Sequence, residues 1–324
     1  MTEIVALDLE AGVMHAVSLD GKQVRTVVGG LDRCPAGVVV DKLRGHIYWT
    51  NMGTPDARPQ RGAEPEFFSR NGSIERVDLD GGNRTTIVPI GAFTTGKQLT
   101  ADCEGGRLYW CDREGMQILT CDLNGDDLHA LVVTGHGDID ADVERNWCVG
   151  ICLDLDRRLL YWTQKGAAKA GDGRIFRVPM DLPPGADPAA RTDIELLWEN
   201  LPEPIDVELH GVGVLVWTDR GAAPHGNALY EAQVQPEVGT PTIISTGYHE
   251  AIGVTGFRFP LLCERSRRHD PPGRCRHRYR YRPGPDRQPA HRPRAGRPVA
   301  PRFRHEPHRN HPPPLLTANR SFGL

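Results

Sequence analysis

Short apolar runs alternate with turns along the first 258 residues, and the same layout returns four times. The repeats begin PAGVVVDKLRGHIYWTN at Pro35, GKQLTADCEGGRLYWCD at Gly96, CVGICLDLDRRLLYWTQ at Cys148 and EPIDVELHGVGVLVWTD at Glu203. In each, an apolar run, a turn and a second apolar run lead to a tryptophan: Trp49, Trp110, Trp162 or Trp217. Asp41, Asp102 and Asp154 each stand eight residues before their tryptophan, and Leu209 stands there in the fourth repeat.

A second half follows each tryptophan. It reads GSIERVDLDG from Gly72, GMQILTCDLNG from Gly115, GRIFRVPMDL from Gly173 and NALYEAQVQ from Asn227. Val77 and Leu79 alternate with Arg76 and Asp78, the period of a strand. DLDG and DLNG are hairpin turns, because Asp or Asn before Gly tolerates positive φ. A last apolar run closes each unit: TTIV at Thr85, HALV at His129, ELLW at Glu195 and TIIS at Thr242. Four strands per unit predict the blade of a propeller.

Tryptophans are spaced 61, 52 and 55 residues apart, longer than a bare blade. The excess lies in polar, Gly/Pro-rich stretches after Gly53, around GHGDIDADVERN and around LPPGADPAARTD, which predict surface loops. Residues 4–28 match the last three strands of a blade, and YHEAIGVTGF from Tyr248 opens a further unit. The expectation is an all-β, six-bladed β-propeller with its last blade incomplete.

Four in-phase motifs carry a family resemblance: Tyr48-Trp49-Thr50-Asn51, Tyr109-Trp110-Cys111-Asp112, Tyr161-Trp162-Thr163-Gln164 and Val216-Trp217-Thr218-Asp219. Over about residues 1–258 the chain resembles the YWTD repeat family, also called low-density-lipoprotein-receptor class B repeats. The resemblance implies a six-bladed propeller. Asn51, Cys111 and Gln164 depart from the pattern, and no EGF-like cysteine modules flank the repeats. A free-standing, microbial-type member resembling the gluconolactonase/regucalcin-like propellers is therefore expected. Recurrence of the aromatics at one place in every blade marks them as wedge-filling side chains with their N–H or O–H satisfied nearby.

Charge divides the chain. Residues 263–324 hold sixteen Arg, twelve Pro, four acids and no Lys, whereas residues 1–262 carry a net charge of −15. Domain boundaries are thus expected at 1–260 for the propeller and 261–324 for a disordered Arg/Pro/His-rich tail. Its composition is what GC-rich DNA gives when read out of frame. Nucleic-acid binding is expected only through that tail, where Tyr279 and Tyr281 offer stacking faces.

The eight cysteines form no CxxC pair and read as reduced core residues. With no basic start followed by an apolar run, and no long apolar stretch, a cytoplasmic monomer without membrane attachment is expected.

Propellers offer ligands the mouth of the central channel, built by loops entering the innermost strands. Those positions are Arg33, Cys34, Lys97, Trp147, Cys148, Glu203, His249 and Glu250. Arg33, Lys97, Trp147, Glu203, His249 and Glu250 are the ligand-binding candidates. Lys97 with Glu203 or Glu250 is the candidate acid/base pair. Asp138, Asp140 and Asp142 present alternating carboxylates that could take Ca2+, although the EF-hand glycine and distal Glu are absent. The Glu, Asn, Asn, Asp ligand set of the gluconolactonase-like propellers is not recoverable; Asn146 alone lies near a strand entrance. Two functions follow: a scaffold binding a protein or small ligand at the channel mouth, or a propeller enzyme of the lactonase/strictosidine-synthase kind.

Overall fold

The computed structural model describes residues 3–56, 65–256 and 261–262. Five antiparallel sheets follow one another along the chain. Blade 1 has three strands, β1 (Glu3–Asp8), β2 (Val13–Ser18) and β3 (Val24–Gly29). Blade 2 comprises β4 (Pro35–Asp41), β5 (His46–Asn51), β6 (Gly72–Asp78) and β7 (Thr85–Phe93). Blade 3 comprises β8 (Gly96–Asp102), β9 (Arg107–Asp112), β10 (Gln117–Asp122) and β11 (His129–Val133). Blade 4 comprises β12 (Cys148–Asp154), β13 (Leu159–Gln164), β14 (Gly173–Pro179) and β15 (Glu195–Leu201). Blade 5 comprises β16 (Pro204–His210), β17 (Val214–Asp219), β18 (Ala228–Gln233) and β19 (Thr242–Thr246). Strands β4, β8, β12 and β16 pack side by side around the channel, with β1 beside β4.

The fold is a five-bladed propeller, which corrects the expected six-bladed ring with an incomplete last blade. The segment after Tyr248 forms no sheet of its own size: β20 (Thr255–Gly256) pairs with β21 (Leu261–Leu262) through two residues each. The alternating pattern that sustains a ladder stops with that pair. The expected disordered tail from residue 261 lies outside the described residues apart from β21.

Each Tyr–Trp pair joins two wedges, because adjacent strand residues point to opposite faces. Trp49 packs with Leu7, Met14 and Val27 of blade 1, while Tyr48 packs with Leu99 and Trp110 of blade 3. Tyr109 meets Trp162, and Tyr161 meets Trp217, in the same way. All four tryptophans are at most 1% exposed. The expectation that their indole N–H groups find partners fails: Nε1 of Trp49, Trp110, Trp162 and Trp217 has no hydrogen-bond acceptor. An unpaired N–H costs roughly 1–3 kcal/mol. Burying an aromatic of roughly 150–250 Å² at about 25 cal/mol/Å² returns about 4–6 kcal/mol. The wedge is filled at a net gain.

The third motif residue ties blade to blade. Thr50 Oγ1 accepts from Gly37 N at 2.9 Å and donates to Lys97 O in the next blade at 2.6 Å. Thr163 Oγ1 accepts from Gly150 N at 2.8 Å and donates to Ile205 O at 2.7 Å. Thr218 Oγ1 accepts from Asp206 N and donates to Ile252 O. Cys111, in the threonine position of blade 3, donates its thiol to Gly150 O. The inner strands of blades 2 to 5 are bulged here, between Pro35 and Val38, Gly96 and Leu99, Cys148 and Ile151, and Pro204 and Val207. The bulge frees the N–H that the hydroxyl takes up. It also brings the backbones together: a Cβ on Gly150 would stand 2.2 Å from Ile205 O.

The aspartates eight residues before the tryptophans close the turn between the first two strands. Asp41 accepts from Leu43 N and Arg44 N, and Asp154 from Arg157 N. In blade 5 the turn is one residue shorter, so His210, paired with Val214, rather than Leu209, occupies the equivalent place. Four of the six described cysteines, Cys111, Cys121, Cys148 and Cys152, are buried free thiols.

Thr163→Val keeps the side-chain volume but strands Gly150 N and Ile205 O. The expected loss in urea unfolding is about 2–4 kcal/mol, with Thr163→Ser retaining most of the stability. Equal stability of the valine and serine variants would refute the tie.

Candidate functional site

The inner strand of each blade starts, and the second strand ends, at the same end of the channel. Residues flanking both points therefore converge. A shallow depression opens there, lined by Lys97, Arg113, Lys165, Arg220, Gln98 and apolar side chains including Val149, Ile205 and Ile252. Arg113, Lys165 and Arg220 each directly follow the last motif residue, three positions after their tryptophans; Met52 takes that place in blade 2. Sequence reasoning missed these three cations. The signal was available as a repeated basic residue after the strand end in three of four motifs.

Of the candidates named from sequence, Lys97 lines the depression, with Nζ 3.2 Å from Met52 Sδ. Trp147 stands behind it, donating Nε1–H to Ala141 O at 2.7 Å. Its ring lies under two cations, Arg113 at 5.0 Å and Lys165 at 5.6 Å from the centroid. Glu203 is fully buried. It holds Arg220 through Oε1 at 2.6 Å and lies 3.8 Å from Lys165 Nζ. Glu250 bridges Lys169 at 3.3 Å and Arg220 at 3.5 Å. Lys97 and Glu203 thus belong to one mouth, but the buried partners of Glu203 are Arg220 and Lys165. Arg33 contributes its carbonyl to Gly53 N, and His249 is exposed; neither lines the depression. Cys34 is half-buried, and burial raises its thiol pKa while nearby Lys97 lowers it.

Asp138 and Asp140 lie in a one-turn helix, α1 (Gly137–Ala141), with Asp142 at its C-cap. Asp140 accepts from His136 N. Among the described residues no group of three or more His, Cys, Asp or Glu side chains is arranged to hold a metal ion.

The terminal motif aspartates shape the loops at this end. Asp112 accepts from Thr94 N, Thr95 N and Gln117 Nε2, and Asp219 accepts from Glu203 N and Gly221 N. Asn51 and Gln164 stand in the same place but donate instead: Asn51 to Ser73 and Glu75, and Gln164 to Asn146 O. Burial raises the Asp219 pKa to about 6 against the opposing backbone N–H groups, and raises Asp112 as well.

Below the mouth, β16 turns Asp206 and Glu208 to one side. Burial raises Asp206 to about 7, against hydrogen bonds from Val254 N, Gln98 and Val207 N. Burial, with the neighbouring charge of Asp206, raises Glu208 to about 8. Two carboxyl groups thus titrate near neutrality within the channel.

No family model matches the chain. Among curated proteins, the chain is 43% identical over 216 residues to a low-density lipoprotein receptor-related protein 1 of Pyricularia oryzae, covering 65% of each. It is 35% identical over 260 residues to a 3-hydroxyacyl-CoA dehydrogenase-like protein of Cochliobolus heterostrophus, covering 76% of this chain and 52% of that protein. The chain thus spans between about half and two thirds of the length of these relatives. Among solved structures, a chain of a nidogen/laminin complex aligns with a TM-score of 0.56 at 19% identity, covering 79% of this chain and 81% of that one. These likenesses support a β-propeller with low-density-lipoprotein-receptor-related relatives.

Asp206 sets a pH dependence. The unfolded chain releases this proton near pH ~4, and the folded chain near 7. The folded state holds the extra proton between those values, so stability falls as pH rises across that window. Asp206 contributes at most one proton to that slope, about 1.4 kcal/mol per pH unit, beside the shares of Asp219 and Glu208. Asp206→Asn is expected to flatten the fall in urea midpoints measured from pH 4.5 to 7. An unchanged slope would place the titration elsewhere.

Proposed function

We propose that this chain is a propeller scaffold that binds a small ligand at the mouth of its central channel. The observation that carries this reading is the convergence of Lys97, Arg113, Lys165 and Arg220 on one depression. Small-molecule sites combine a few fixed polar groups with an apolar lining, and this depression has both. Rigidity favours binding as well. The lining side chains sit on strands and strand ends locked by the threonine ties, and Glu203, Glu114 and Trp147 brace the cations from behind. Matching segments occur in two relatives with unlike names, one receptor-related and one dehydrogenase-like. A recognition module carried in different contexts fits that distribution.

Asp206 and Glu208 favour a second reading, an enzyme of the lactonase or strictosidine-synthase kind. A carboxyl with a pKa near 7 below a ligand pocket is suited to general acid/base work.

Ile252 lines the depression and is half-buried. Ile252→Trp is expected to fill it. Small molecules that raise the melting temperature of the wild-type chain should lose that effect in Ile252→Trp, whose own melting temperature stays near wild type. Ligands that stabilise both proteins equally would move the site elsewhere. A substrate turned over by the wild type and lost in Asp206→Asn, with binding retained, would favour the enzyme.

A further inference from the structure

Building on the mouth-binding reading, we infer that the ligand is a small organic anion carrying two or more carboxylate or phosphate groups. The lining of the depression contains four cationic side chains, the amide of Gln98 and otherwise apolar groups; no carboxylate faces it. The carboxylates stand one layer back. Glu114 accepts from Arg113 Nε at 2.8 Å, and Glu203 accepts from Arg220 Nε at 3.0 Å. Arginines held this way keep both charge and orientation, a preorganised arrangement for oxyanions.

Lys165 supplies a second, independent sign. It lines the depression and is only 2% exposed. An ammonium carries three donors. Its ion pairs, 3.6 Å to Glu144 and 3.8 Å to Glu203, are longer than hydrogen bonds, and its ammonium also lies over the face of Trp147. A buried ammonium with long ion pairs, aimed into a depression, is a donor set suited to an acceptor on a ligand. Cations from three blades call for more than one anionic group, and Val149, Ile205 and Ile252 accommodate a carbon skeleton. Residues 1–262 carry a net charge of −15, so the long-range field repels anions and recognition must be local.

Calorimetric titration of the full chain at pH 7 and low salt tests this with citrate, pyrophosphate and uncharged trimethyl citrate. At least one of the two anions should bind, the ester should not, and added salt should weaken the interaction. Lys165→Met and Lys97→Met should each weaken anion binding at least tenfold. If Lys165→Met does not fold, Lys97→Met carries the comparison. The sixteen arginines of residues 263–324 also attract anions, but that uptake is indifferent to both substitutions. Anion binding unchanged in the variants, or absent for both anions, overturns the inference. Ester binding that Ile252→Trp abolishes would overturn it while leaving the mouth-binding reading intact. If Ile252→Trp blocks no ligand of any charge, both readings fall.

Discussion

The propeller depends on the third motif residue of blades 2 to 5, a hydroxyl in three of them and a thiol in the fourth. A blade is a twisted sheet that must lie against its neighbours over a narrow inner edge, where backbone meets backbone. Thr50, Thr163 and Thr218 each accept an N–H from the bulge of their own inner strand and donate their O–H to a carbonyl of the following segment. The bulge creates an unpaired donor, and the hydroxyl satisfies it while fixing the spacing between blades. Cys111 makes the same link with a weaker thiol donor. Gly37 and Gly150 occupy the closest approaches, where a side-chain carbon would collide with the next backbone.

Where the corresponding bulge residue is polar instead of glycine, the channel gains chemistry. Gln98 and Asp206 stand in the places of Gly37 and Gly150, and Asp206 takes hydrogen bonds from Val254 N and Gln98. The same structural position therefore closes the wedge in two blades and, in two others, furnishes the hydrogen-bonded pair Gln98 and Asp206, of which Asp206 titrates.

Charge at the mouth is arranged in layers. Cations face the depression, carboxylates hold them from behind, and Trp147 supplies a π-face to both Arg113 and Lys165. Fully buried ion pairs are weak contributors to stability, because desolvation offsets their attraction. Their value here lies in fixing the direction of the charged groups.

The repeat was legible because it is local. Strand, turn and strand leave a period-two pattern, a tight-turn Asp and a Tyr–Trp pair that recur within each blade, and β4 to β19 lie where those patterns fall. Lys97, Trp147 and Glu203 were also legible as strand-entrance positions. Blade number was not: the alternating run after Tyr248 resembles the start of a blade, but among the described residues of that run only Thr255 and Gly256 pair as a strand. Nor was the role of the residue after each motif. Arg113, Lys165 and Arg220 are 52 and 55 residues apart in sequence, and nothing local tells a strand-end cation facing solvent from one facing the channel. The chain determined its strands and the two faces of each sheet through alternation. The tertiary structure alone decided which ends meet, because closure around an axis depends on how blades pack against one another.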